Sequence, residues 1–76
     1  MQDPPPDWAL AQLRVIGDRL RASRRAAGLS QIALADRIGR DHKTISRWEN
    51  GHRSPSVLDL IYIARALDIP LADLVR

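Results

Sequence analysis

The stretch GRDHKTISRWENG, residues 39–51, gathers side chains able to recognise a polyanion, and it also holds Glu49, the single glutamate among nine acids. Wound as a helix at about 100° per residue, it separates into two faces. With Ile45 as origin, Trp48 falls at about −60° and Glu49 at about +40°, so these three share one side. His42, Lys43, Ser46, Arg47 and Asn50 sweep the other side, from about +60° to about +200°, and all of them are hydrogen-bonding or cationic. A merely solvated face would carry carboxylates as readily as bases, and this arc has none. Its chemistry suits the major groove of a DNA duplex, where Lys and Arg donate to guanine O6 and N7 and Ser pairs with either kind of base edge. His42 and Lys43 stand closest to the bases, with Ser46 and Arg47 one turn later. Arg47, whose planar fork bonds bidentately, is the strongest candidate for a guanine contact.

Glu49 on the inward side needs a partner, because a buried carboxylate is costly unless it is paired or protonated. Arg24 falls on the same apolar stripe as Leu13, Ile16 and Leu20, an odd place for a guanidinium unless an acid meets it there. The expectation is an Arg24–Glu49 ion pair between two helices. The competing reading has both side chains snorkelling independently to solvent.

Seventy-six residues suffice for one compact domain and not for two. There is no cysteine, and His42 and His52 alone make no metal cluster, so no metal or other cofactor is expected. The sequence offers no nucleophile–base pair and no glycine-rich phosphate loop, which sets an enzyme aside. No apolar run approaches the roughly 18 residues of a membrane span, and the acidic, proline-rich start lacks the regions of a signal peptide. The chain therefore reads as cytoplasmic, with no membrane partner. Its net charge of +3 hides an asymmetry: residues 19–53 hold nine Arg or Lys against Asp36, Asp41 and Glu49, between two mildly acidic flanks. A central block of cations is the footprint expected for nucleic acid, although solvated helices are often basic too.

The elements that must position these groups are helices. Residues 1–7, with the run DPPP, form a flexible extended arm, and residues 8–76 form the domain. Asp7 is expected to cap a helix over about 8–27, with Ala9, Leu13, Ile16, Leu20 and Ala27 on one stripe. Gly17 inside it costs about 1 kcal/mol relative to Ala, and Gly28 ends it. Ser30 caps a second helix at about 31–38, stopped by Gly39, and Asp41 caps a third at about 42–50, ended by Gly51. Ser56 and Asp59 make a capping box for a fourth at about 57–67, and Pro70 opens a short fifth. Nothing alternates with period two, so the fold class is all-α with five helices. Helices two and three, joined by a short turn at Gly39, have helix-turn-helix geometry over about 31–50.

The stretches LRASRRAAGLSQIALADRIGRDHKTISRWENGHRSPS and LIYIARALDIPLADLV, as a set, resemble the Cro and phage-repressor type of helix-turn-helix, the xenobiotic-response-element family, over Ile16 to Val75. The resemblance implies a five-helix bundle of the lambda-repressor-like type, here with an N-terminally extended helix one. It implies a sequence-specific regulator of transcription, expected to be a repressor, that binds double-stranded DNA in a bacterial nucleoid-associated or phage-type setting. By the same match His42, Lys43, Ser46 and Arg47 would face base edges. Gln31 would bond a phosphate and brace the first residues of helix three, and Arg40, Asn50, His52 and Arg53 would meet the backbone. Arg24 and Glu49 match the family's buried ion pair.

Departures from the pattern include Ile32 and Ala33, which leave Ser30 without its capping-box glutamate, and Asp68, where a glycine often stands. Asp41 would repel a nearby phosphate, which gives it a structural role as a cap. The extension of helix one has two competing readings: it folds against helix five, or Trp8 and Leu10 join Leu71, Leu74 or Val75 in a two-fold interface. A homodimer is expected, since a symmetric pair reads a palindromic operator with far higher specificity than one copy. The chain stops right after helix five with no separate dimerisation domain, so it either self-associates weakly or is a piece of a longer protein. The alternative function is a protein-interaction module, antitoxin-like or bridging, with Ile32, Trp8 and the helix-five leucines as its surface.

Overall fold

The computed structural model describes residues 3–76, leaving positions 1 and 2 of the arm outside the described residues. Five helices follow in order: α1 (Asp7–Ala26), α2 (Gln31–Ile38), α3 (His42–Glu49), α4 (Val57–Leu67) and α5 (Ala72–Val75). There is no strand among the described residues.

Local chemistry sets most of the boundaries. The Ser30 hydroxyl accepts from the Ala33 amide, and the Asp41 carboxylate accepts from the Lys43 amide. Ser56 and Asp59 satisfy each other's backbone amides, which together uses two of the donors every helix N-terminus leaves free. The start of α1 differs from expectation. Asp7 does not cap it: Pro6 is the N-cap, in an extended conformation, and no side chain caps this end. Asp7 is instead the first helical residue, where its charge complements the N-terminal dipole. Gly39 closes α2 at φ +69°, a conformation that lets residues 39–41 reverse the chain within three positions. Asp68 closes α4 at φ 55°, at some cost for a residue with a Cβ.

Each helix places one large aliphatic side chain at the centre: Leu20, Leu34, Ile45, Ile63 and Leu74 are fully buried. At about 1.5–3 kcal/mol each, these burials in one core cluster are the main term holding the bundle. α1 packs against α3 and α5, while α2 packs against α3 and α4. On α1, Leu13 and Ile16 are half-buried and Leu20 is buried, whereas Ala27 lies outside the core. Trp8 and Leu10 stay exposed at 73% and 41%, so the extension's largest apolar groups add nothing to the core. Leu74 is fully buried and cannot serve an interface.

Candidate nucleic-acid interface

The inward face of α3 is fixed first. Ile45, Trp48 and Glu49 are buried, and Glu49 is only 1% exposed. Arg24 meets it bidentately, with Nε 2.6 Å from Oε2 and Nη2 3.0 Å from Oε1, while its remaining Nη1 donates to the Leu29 carbonyl. Gln31 Nε2 donates to Glu49 Oε1 at 3.1 Å, and Arg21 Nε reaches the same oxygen at 3.4 Å. Burial alone would push the Glu49 carboxyl up. The bonds from Arg24, Gln31 and Arg21, with the Arg24 charge, outweigh it and hold the group below the usual carboxylate value. Arg24 is shifted up in turn, chiefly by its bond to Glu49. One carboxylate thus ties together α1, the start of α2 and the end of α3.

Gln31 was expected to brace the first residues of α3; it braces the last one. That bond uses its amide nitrogen, and the amide oxygen accepts no hydrogen bond among the described residues. Arg40 has a second attachment that local reasoning misses. Its guanidinium pairs with Asp59 Oδ1, through Nε at 3.1 Å and through Nη2, linking the turn to the first turn of α4. The Asp59 carboxyl feels burial pushing it up, but Arg40 and the Ser56 amide and hydroxyl hold it below its ordinary value.

The outward face of α3 is open. His42, Lys43, Arg47 and Asn50 are exposed and Ser46 is half-buried. The Lys43 and Arg47 side chains have no intramolecular hydrogen bond or ion pair among the described residues. His42 Nδ1 lies 3.4 Å from Asp41 Oδ1. The Lys43 amide, above all, holds the Asp41 carboxyl below its usual value. Asn50 is folded back: its Nδ2 donates to the Ser46 carbonyl at 2.9 Å, and its Oδ1 accepts from Arg21 Nη2 at 2.7 Å. The Arg47 carbonyl accepts the amides of both His52 and Arg53, so the loop after α3 curls back along the helix. Arg47 and Arg53 border a common hollow of about 200 Å³ with Thr44, Trp48 and Ser54.

Arg21 is the contributor that the sequence reading passed over. The signal was available: Gly17, Leu20, Arg21 and Arg24 are spaced i, i+3, i+4, i+7, one stripe of α1, and it is this stripe that meets α3.

Residues 20–74 match a protein family described as helix-turn-helix. An uncharacterized HTH-type transcriptional regulator, y4dJ, of Sinorhizobium fredii is 32% identical over 62 residues, which span 82% of this chain and 80% of that protein. The crystal structure of the restriction-modification controller protein C.AhdI from Aeromonas hydrophila is similar at a TM-score of 0.81 and 41% identity, over 84% of this chain and 97% of that one. The hypothetical transcription factor NHTF from Neisseria gives a TM-score of 0.79 at 25% identity, over 100% of this chain and 86% of that one.

Proposed function

Since the chain belongs to the helix-turn-helix family of transcriptional regulators, Cro/C1 type, we propose that it binds double-stranded DNA sequence-specifically, with α3 in the major groove. The observation that carries this is the division of α3 into a buried half locked by Glu49 and an open half bearing His42, Lys43, Ser46 and Arg47 without a carboxylate. A helix so held presents its outer side chains at fixed positions, as base reading needs. Arg47 and Lys43 are the donors to guanine, with His42 and Ser46 beside them. The free oxygen of Gln31 cannot bond a phosphate, so the α2 end contributes its backbone amides and the second amide hydrogen of Gln31. Asn50, His52 and Arg53 meet the backbone on the far side, and Arg40 follows it while anchored to Asp59. The protein works where the DNA is, in the cytoplasm, and represses by occupying its operator.

Base readers and backbone anchors are separable by substitution. Arg47→Ala is expected to cost about 1–3 kcal/mol of binding and to relax preference at one base position. Arg53→Ala should weaken all sequences alike and reduce the salt slope by about one. Selection from random duplexes followed by binding titrations at several salt concentrations checks both. If Arg47→Ala changes neither affinity nor preference, α3 is not docked as described.

The operator is a palindrome read by two copies. With Leu74 buried, the two-fold contact falls to the outer side of α4, where Val57, Leu58, Ile61 and Tyr62 are 45–68% exposed, with Val75. Such a row on one helix is more than scattered surface apolarity, and a second copy offers it an equal row. Trp8 and Leu10 instead border a hollow with Ser54 in the loop after α3. Ile61→Asp should shift the sedimentation equilibrium toward monomer and weaken palindrome binding more than half-site binding. Unchanged self-association in that variant refutes this face. A bridging or antitoxin-like role remains the second reading, favoured by the exposed Ile32. It predicts binding that barely responds to salt, whereas DNA contacts weaken steeply with it.

A further inference from the structure

Arg14 lies outside residues 20–74, the part of the chain that matches the family. It is nevertheless the α1 residue against which the turn after α3 is laid. A Cβ built on Gly51 would stand 2.9 Å from Arg14 Cγ and 3.4 Å from its Cα, and Gly51 holds φ +72° there. Hollows open on both sides of this contact. One, of about 370 Å³, is bordered by Arg14 with Asn50, Gly51 and His52; the other, of about 280 Å³, by Arg14 with Arg21, Glu49 and Asn50.

The two arginines differ in what they are free to do. Arg21 is committed to Glu49 and Asn50. Arg14 is exposed, and its guanidinium has no hydrogen bond or ion pair among the described residues. Asp18 borders the second hollow at the i+4 spacing that suits an ion pair, yet no pair forms within 4 Å; Asp7 borders the first. These carboxylates lower the local positive potential, so the site is not a broad cationic surface and offers a phosphate only the one guanidinium.

We propose that Arg14 binds a backbone phosphate of duplex DNA, next to the one met by Asn50 and His52. It thereby anchors the C-terminal end of the reading helix, as the start of α2 anchors the other side. The proposal rests on the DNA-binding reading above and adds a contact from the extended part of α1. A guanidinium with all its donors open, adjoining backbone contacts, gains charge-assisted bonds from a phosphate and loses no bond within the protein.

The test is binding of wild type, Arg14→Ala, Arg14→Lys and Arg14→Glu to a duplex selected with the wild-type protein, across a salt series. Arg14→Ala should bind about tenfold more weakly at low salt, with the log–log salt slope shallower by about 0.9 and the base preference unchanged. Arg14→Lys should keep the slope, and Arg14→Glu should bind more weakly still. A neutral methylphosphonate at one backbone position should weaken wild type and leave Arg14→Ala indifferent. Wild-type affinity and slope in Arg14→Ala overturn the proposal and leave the DNA-binding reading standing. So does a loss of affinity with the slope unchanged, or one in which every methylphosphonate still acts on the variant, since Arg14 would then act through packing. If wild type selects no duplex at all, the parent reading fails, and the proposal with it.

Discussion

Glu49→Ala is expected to destabilise the fold by about 3–5 kcal/mol, because it strands the buried Arg24 guanidinium without its counter-ion. Arg24 is 7% exposed and retains only the Leu29 carbonyl once the carboxylate is gone. A domain of this length has about 4–11 kcal/mol in total, so the variant should lose a large share of its stability and unfold at a much lower urea concentration. The loss belongs to the unpaired charge and not to the pair as such. Replacing Arg24 and Glu49 together by Met and Leu should therefore cost less than either truncation alone. Urea unfolding of the wild type, Arg24→Met, Glu49→Leu and the double variant gives the coupling directly, and simple additivity would exclude an interaction between the two side chains.

The same carboxylate sets a pH dependence whose sign follows from its shift. Glu49, Asp59 and Asp41 are all held below their ordinary values in the folded protein. Unfolded, such groups titrate at about 4. Their stabilisation is therefore complete above that value and is lost as pH falls through it toward the lower folded values. Acid unfolding should begin below about pH 4 to 5, and Glu49→Gln should flatten that limb of the stability curve while lowering stability at neutral pH.

What the sequence disclosed depended on whether the cause was local. Ser30, Gly39, Asp41 and the Ser56–Asp59 box act within four residues, so they mark the helix ends by type and spacing alone. Asp7 misled because an acid after three prolines resembles a cap, whereas Pro6 already holds the extended conformation that a cap position requires. The Arg24–Glu49 pair was legible for a different reason, since a charge on an apolar stripe is anomalous and two anomalies imply each other. Arg40 with Asp59, and Gln31 with Glu49, give no such signal: Arg40 and Gln31 sit where a polar side chain is ordinary, and only the folded chain brings them to their buried acids. The outer side of α4 was hidden by its inner side. A helix apolar on both faces reads as buried, and the exposure of Ile61 and Tyr62 follows only from the absence of a sixth element over them in the described residues.

Gly17 is where local and tertiary physics give opposite signs, and the magnitudes choose between them. By helix propensity, Gly17→Ala in the middle of a 20-residue helix should stabilise by about 1 kcal/mol. Yet a Cβ there would lie 2.6 Å from the carbonyl oxygens of both Trp48 and Glu49 and 3.0 Å from the Glu49 carbonyl carbon. All three atoms are backbone, so no rotamer change relieves the overlap. Either α1 or the last turn of α3 must move, and Leu20, Arg24 and Glu49 hold the two together beside the contact. Overpacking of this kind costs about 1–3 kcal/mol and occasionally more, and a backbone-to-backbone crossing belongs at the upper end. We expect a net loss of about 2 kcal/mol, seen as a fall in Tm of about 8–16 °C. DNA affinity should drop further than the unfolded fraction explains, because the displaced turn carries Arg47, Asn50 and the loop to Arg53. Thermal melts and titrations at a temperature where the variant is fully folded separate the two effects. An alanine variant that melts above wild type would mean that α1 and α3 do not cross this closely, and that glycine is merely tolerated here.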